Sequence, residues 1–333
     1  VEPAKTLASQ LAEPASMQLL EDHQAPPLAM EEQVRGGTGL LKAQAICPAW
    51  AFYQYRLGAR KLEAPVEGLD AMARGSLLHA ALQSFWQGRD SVWLQGMDQT
   101  ALFAAIAKAV DEGVRQFVTT LEQPLPPNAM KLEKSRLQQL LEVWLTFERE
   151  RLPFTVQACE LDLDLTLDGL DIHLKLDRVD VSTEGELIVI DYKTGSQLDY
   201  SSWAKDRITE PQLPIYAALA LEGESVAAVC FARVRVDDQG FVGVASGDGL
   251  LPGLKALASA RRTFDETRFP DWEALMQHWR ASILGVVSEI KQGWAPVTYE
   301  DENDLMYCDV RPLLRLPERG LQLEQFGKEA GDD

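Results

Sequence analysis

The chain has 333 residues, is 46% hydrophobic, and carries 32 Lys and Arg against 51 Asp and Glu, a formal charge of −19. That length and apolar fraction can bury a full core, while the net charge repels polyanions, so a nucleic-acid partner would have to be held by a local basic patch or by metal ions. Four scattered cysteines without a Cys-x-x-Cys pair argue against a disulfide framework and a zinc ribbon, and the absence of a long apolar run, a charged leader or a Gly-rich phosphate loop argues against membrane spanning, export and an intrinsic nucleotide-phosphate loop.

A reducing, cytoplasmic location is the expectation. Residues 1–37 contain Pro3, Pro14, Pro26 and Pro27 among many Glu and Gln, with no sustained periodicity. They read as a linker or the tail of an upstream region, and a Val at position 1 fits a piece of a longer chain. Gly39 to Gly58 suggests one or two helices with Pro48 at a break or first turn. A helix over Arg74–Trp86 places Leu78, Leu82 and Phe85 on one stripe, with His79 off its middle. The ordinary reading of such a histidine is structural or solvated. Helices over 98–121 and 131–151 follow, separated by the breaker Gln123–Asn128. Their aromatics Phe103, Phe117, Trp144 and Phe147 are assigned to the core.

The periodicity then changes to two. Cys159–Leu167 alternates without interruption, which predicts Cys159 on one face with four Leu and the acids facing outward. Asp168-Gly169 is a hairpin signal leading into Leu170–Val181. A second turn at Ser182–Gly185 leads into Leu187-Ile188-Val189-Ile190, whose unbroken apolar run reads as a strand buried on both faces. The three strands make an antiparallel meander. A polar loop, 194–209, precedes a helix entered at Pro211, on which Gln212 and Tyr216 share a face. Val226–Val236 is a further strand, with Phe241–Ala245 as its hairpin partner. Helices over 254–264 and 272–294 and an irregular tail complete the chain, with residues 321–333 expected to be disordered.

The central strand ends in Asp191-Tyr192-Lys193, and a period of two puts Asp191 and Lys193 on one face, roughly 6 to 7 Å apart. Alone, that pattern is most often a salt bridge at a strand end. Counting from a turn centred on residue 184, however, facing residues sum to 368, which sets Asp177 opposite Asp191. Two carboxylates at that spacing share a proton or bind a cation, and oxygen ligands suit a hard divalent ion, Mg²⁺ or Mn²⁺. Lys193 beside them can orient a water or stabilise charge on a phosphate.

Asp177 followed across a short hairpin by Asp191-Tyr192-Lys193 resembles the PD-(D/E)XK nuclease superfamily. A wider set resembles its RecB and AddB branch: Arg74-Gly75-Ser76-Leu77-Leu78-His79, Leu176-Asp177-Arg178-Val179-Asp180, Ile190-Asp191-Tyr192-Lys193-Thr194-Gly195, and Gln212-Leu213-Pro214-Ile215-Tyr216. The resemblance implies an α/β fold with a restriction-endonuclease-like core: a central mixed sheet flanked by helices, with additional N-terminal and C-terminal helices, over residues 38–320. It implies that His79, Asp177, Asp191 and the backbone carbonyl of Tyr192 hold Mg²⁺ or Mn²⁺, and that Asp177, Asp191 and Lys193 carry the catalysis. Gln212, Tyr216 and Arg74 would bind substrate or support the site. The implied function is metal-dependent hydrolysis of DNA phosphodiesters in repair or recombination, exonucleolytic in preference to endonucleolytic. The implied partners are DNA and a helicase subunit or upstream helicase-like region, with no membrane. The alternative is a catalytically inactive nuclease-fold module for DNA guiding or partner docking.

Two departures stand out. The iron-sulfur cluster of many AddB-like proteins needs four cysteines. Only Cys47 and Cys308 match that pattern here, as remnants, with Leu305 and Leu314 at the other two positions. No cluster is expected, and apolar packing takes its place. The second departure is Leu174-Lys175, where relatives often have Gly-Arg, and the sequence offers no account of it.

Overall fold

Four aliphatic residues in succession can form a strand only where both faces are covered. The computed structural model describes residues 22–29, 32–62, 68–121, 124–195 and 198–321. In it, this stretch lies in β3 (Leu187–Lys193), buried from Leu187 through Tyr192. β3 is third in a six-stranded sheet ordered β1 (Phe154–Leu167), β2 (Leu170–Ser182), β3, β4 (Val226–Arg233), β5 (Gly240–Ala245), β6 (Lys255–Ala256). β3–β4 and β5–β6 pair parallel and the other neighbours antiparallel, so the sheet is mixed, as expected. Asp168 and Gly169 both take positive φ, 47° and 83°, the backbone that a two-residue hairpin requires.

Helices cover the two faces. α1 (Gly37–Ile46), α2 (Pro48–Ala51), α7 (Gln212–Ile215) and α8 (Trp272–Gln292) pack on one face with Val189, Val229 and Phe231. α3 (Ala71–Trp86), α4 (Ser91–Gln95), α5 (Gln99–Val118) and α6 (Pro127–Glu148) pack on the other with Ile188, Ile190 and Cys230. Asp70, Asp98 and Asp271 cap α3, α5 and α8 by accepting the N–H of the residue three positions on. Close approach of α5 to α3 depends on Gly113, where an added Cβ would meet the Ala81 backbone at 2.7 Å. That approach seats α3, the helix bearing His79.

Several expectations are corrected. Residues 254–264 are not an α-helix. Lys255 and Ala256 pair with Val244 and Ala245 as the last strand, and a short 3₁₀ turn, Leu257–Ser259, follows. The helix-favouring composition is overridden because the strand pairing lets Leu257, Ala260 and Phe264 enter the core. Pro127, read as part of a breaker, is the first residue of α6, where its missing N–H costs nothing. Phe103 is exposed, whereas Phe117 and Trp144 are buried.

The alternation along β1 also fails. Ala158 packs with one core cluster and Cys159 with the other, yet Leu163, Leu165 and Leu167 join the first. The phase reverses near Glu160, whose φ is 48°. β2 reverses at the facing point: Ile172, Leu174 and Leu176 share a cluster with Val179 and Val181. An irregularity of this kind re-aims side chains at the cost of local strain.

Of the expected linker, the described residues 22–29 are tied to the end of α8. Ala25 and Leu28 donate their N–H groups to the carbonyls of Gly293 and Lys291, each at 2.8 Å. Of the tail expected to be disordered, 321–333, Leu321 is instead the last residue of a short helical segment, and residues 322–333 lie outside the described residues.

Candidate active site

The β2–β3 ladder runs from Val181 opposite Leu187 to Arg178 opposite Ile190. These pairs all sum to 368, the register counted from the sequence. One step further brings Asp177 to Asp191, where the ladder opens. There Asp177 Oδ2 accepts the N–H of Tyr192 at 2.8 Å, replacing a backbone partner with a carboxylate.

His79 arrives from α3. Its Nδ1 lies 3.2 Å from Glu160 Oε1 and 3.4 Å from Asp177 Oδ1, and its Nε2 lies 3.2 Å from the Tyr192 carbonyl oxygen. Ligand atoms of His79, Glu160 and Asp177 all fall within 4.8 Å of one another, and no cysteine joins such a group among the described residues. Burial disfavours the charged imidazole, but the hydrogen bonds and charges of Asp177 and Glu160 outweigh it and raise its pKa to about 10. Despite its burial, the Glu160 carboxyl is held below its usual range by His79 and by the Lys175 ammonium, 2.7 Å away.

Glu160 is the residue that the sequence reading placed facing outward. Its side chain is 7% exposed, while Asp162 and Asp164 face solvent as expected. The signal was present in the first hairpin. With the turn at Asp168-Gly169, facing residues run from Leu167 opposite Leu170 to Cys159 opposite Arg178, and the same count sets Glu160 opposite Asp177. The departure at Lys175 acquires a role here as well, because its ammonium is the counter-charge to Glu160.

Asp191 sits just outside that tight group, at 1% exposure. Its only close cation among the described residues is the Lys193 ammonium, 2.6 Å from Oδ2, and Oδ1 has no hydrogen-bond partner. Burial, then the negative charge of Asp177, push its carboxyl up to about 7, against the opposing pull of Lys193. A buried carboxylate with an unused oxygen is costly unless a cation completes it. The oxygen-rich donor set of Glu160, Asp177, Asp191 and the Tyr192 carbonyl, with one imidazole, fits a hard divalent ion.

Lys193 and Gln212 line a groove of about 540 Å³ that also involves Lys42, Ser202 and Glu210. Tyr216, fully buried, donates its hydroxyl to the carbonyl of Lys175. It thus anchors β2 two residues from Asp177. Arg74 is turned to α6, with Nη2 2.6 Å from Glu133 Oε1, and does not reach the carboxylate group. Cys47, Cys308, Leu305 and Leu314 are all buried in one apolar cluster, and the four cysteines are free thiols.

A family model described as the PD-(D/E)XK nuclease superfamily matches residues 40–313. No curated protein matches the chain.

Proposed function

Because the chain belongs to the PD-(D/E)XK nuclease superfamily, we propose that it is a Mg²⁺- or Mn²⁺-dependent deoxyribonuclease of DNA repair or recombination, acting as an exonuclease with a helicase partner or helicase-like region. The observation that carries this reading is the convergence of His79, Glu160 and Asp177 within 4.8 Å, beside a buried Asp191 with an unused oxygen.

His79, Asp177, Asp191 and the Tyr192 carbonyl would hold the cation, and Glu160 extends that set. A bound divalent cation would lower the pKa of a water and offset charge on the phosphate. Lys193, which lines the groove and has its Nζ 2.6 Å from Asp191 Oδ2, would hold the attacking water and stabilise charge on the phosphoryl oxygens. The water oxygen forms the new P–O bond and gives up a proton, the bridging P–O bond breaks, and the leaving oxygen takes up a proton. Gln212, which lines the same groove, would contact the DNA, while Tyr216 acts by fixing β2. A phosphate-sized local field of this kind is what a chain of charge −19 needs, since its overall field opposes DNA.

Incubation of the protein with single-stranded and duplex DNA and Mg²⁺ or Mn²⁺ tests the reading. Cleavage that an Asp177→Asn variant lacks supports it; equal background from both proteins sinks it, and DNA binding without cleavage would favour an inactive module. Metal uptake gives a second test. His79 must give up its proton to ligate, and ionised Asp191 gains a partner, so Mn²⁺ binding releases protons and tightens with pH. The expected result by thermal shift is a larger Mn²⁺-induced gain in Tm at pH 8 than at pH 6.

A further inference from the structure

Behind the carboxylates lies a group of charges with no part in the chemistry above. Glu148 at the end of α6, Arg151 just beyond it, and Arg178 and Asp180 on β2 are all buried, at 1%, 4%, 0% and 0% exposure. Arg178 donates from Nε and Nη2 to the two oxygens of Asp180, at 2.6 and 2.9 Å. Its Nη1 lies 2.8 Å from Glu148 Oε1. Arg151 closes the ring, with Nη1 2.7 Å from Glu148 Oε1 and Nη2 2.8 Å from Asp180 Oδ2. The guanidinium of Arg178 lies 4.1 Å from the Trp86 ring centroid, and that of Arg151 lies 3.8 Å from that of Phe154. Two cations and two anions held this deep are expensive to desolvate, and apolar side chains of the same volume would often serve stability as well. Stability alone therefore does not explain the ring.

What the ring touches gives a reason. Arg178 Nη1 also donates to the phenol oxygen of Tyr192 at 2.8 Å. Asp177, the preceding residue, accepts the N–H of the same tyrosine. Both reach Tyr192 because the alternation of β2 reverses at this point. Tyr192 is therefore gripped at its backbone and at the far end of its ring by consecutive residues, and its carbonyl is left facing His79 Nε2.

We propose that the Glu148–Arg151–Arg178–Asp180 ring is a positioning device that, through the Tyr192 phenol, fixes the direction of the Tyr192 carbonyl toward the cation. Arg178 and the phenol are positioning groups, acting through the peptide of Tyr192. The inference rests on the metal-site reading above. Groups behind a ligand commonly change metal affinity by about 10- to 100-fold, because a ligand free to rotate binds less well.

The test is Tyr192→Phe in the full chain, with Mn²⁺ affinity measured by electron paramagnetic resonance in the absence of DNA. The substitution deletes one oxygen and leaves Arg178 paired with Glu148 and Asp180. The expected result is a loss of about tenfold in Mn²⁺ affinity, with the metal-free Tm nearly unchanged. Arg178→Lys keeps the charge but loses the fork, so it should weaken Mn²⁺ binding comparably, and the double variant should lose no more than the worse single one. Unchanged Mn²⁺ affinity in Tyr192→Phe, or a lowered Tm with unchanged affinity, overturns the proposal and leaves the nuclease reading intact. A wild-type protein that binds no Mn²⁺ overturns both.

Discussion

Asp191→Asn is expected to abolish DNA cleavage and, in the absence of metal, to raise the melting temperature. The two effects have one cause. The Asp191 carboxyl is fully buried, repelled by Asp177 and, among the described residues, paired only with Lys193, so its ionised form costs folding energy that a bound cation would recover. A cation's stabilisation of transition-state charge is worth several kcal/mol, so loss of this ligand should lower kcat/KM by about three orders of magnitude or more. The Tm gain should be about 2–4 °C for each kcal/mol relieved.

The pH dependence fixes the sign. A carboxyl whose pKa rises from its ordinary 3.8 to about 7 on folding contributes stability that is full below 3.8 and is lost as pH rises through 7. His79 acts in the same direction, since its pKa is raised from 6.5 to about 10: its contribution is full below 6.5 and is lost as pH rises toward 10. The metal-free wild type should therefore lose stability from pH 6 to pH 8, and Asp191→Asn should lose less. Thermal melts at the two pH values, with a cleavage assay on the same preparations, measure both effects. A variant that cleaves DNA normally would remove Asp191 from the site.

Arg178→Ala should be the most destabilising single substitution in the sheet. It strands Asp180 and Glu148 in the interior with Arg151 as their only remaining close cation among the described residues. Breaking a buried pair by removing one partner costs about 3–5 kcal/mol, because the other charge stays buried. Urea denaturation should show that loss as a lower midpoint with an unchanged slope. Replacing Arg178 and Asp180 together, by Met and Leu, should recover most of it, since the Glu148–Arg151 pair at 2.7 Å remains. A loss below about 1 kcal/mol for Arg178→Ala, the range of exposed ion pairs, would show that the ring is solvated.

Much of this site was legible before any coordinates. Leu187 to Ile190 announced a central strand by composition alone, and two hairpins of short, fixed turn length converted residue number into register. That is why Asp177 could be set opposite Asp191: a tight turn leaves pairing no freedom to slide. The same arithmetic on the first hairpin would have found Glu160. Periodicity instead sets it facing outward, because a backbone reversal at φ 48° leaves no mark in a sequence of Glu between Cys and Leu. Residues 254–264 failed for a related reason. Their helical preference is worth tenths of a kcal/mol per residue, less than a place on the sheet edge with three side chains in the core.

The sequence by itself determined the mixed α/β architecture around one buried strand, the Asp177, Asp191 and Lys193 set at its tip, and the membership that His79, Gln212 and Tyr216 suggested. These are local or turn-limited properties, set by periodicity and by chain length between neighbours. Only the tertiary structure decided what lies across the chain from them. It brings Glu160 in beside His79, gives Lys175 a carboxylate to answer, turns Arg74 away to Glu133, and closes a ring of charges from α6 to β2 behind Tyr192. The physical reason is that a charge can be buried only against a specific partner, and partners far apart in sequence are chosen by how the layers pack.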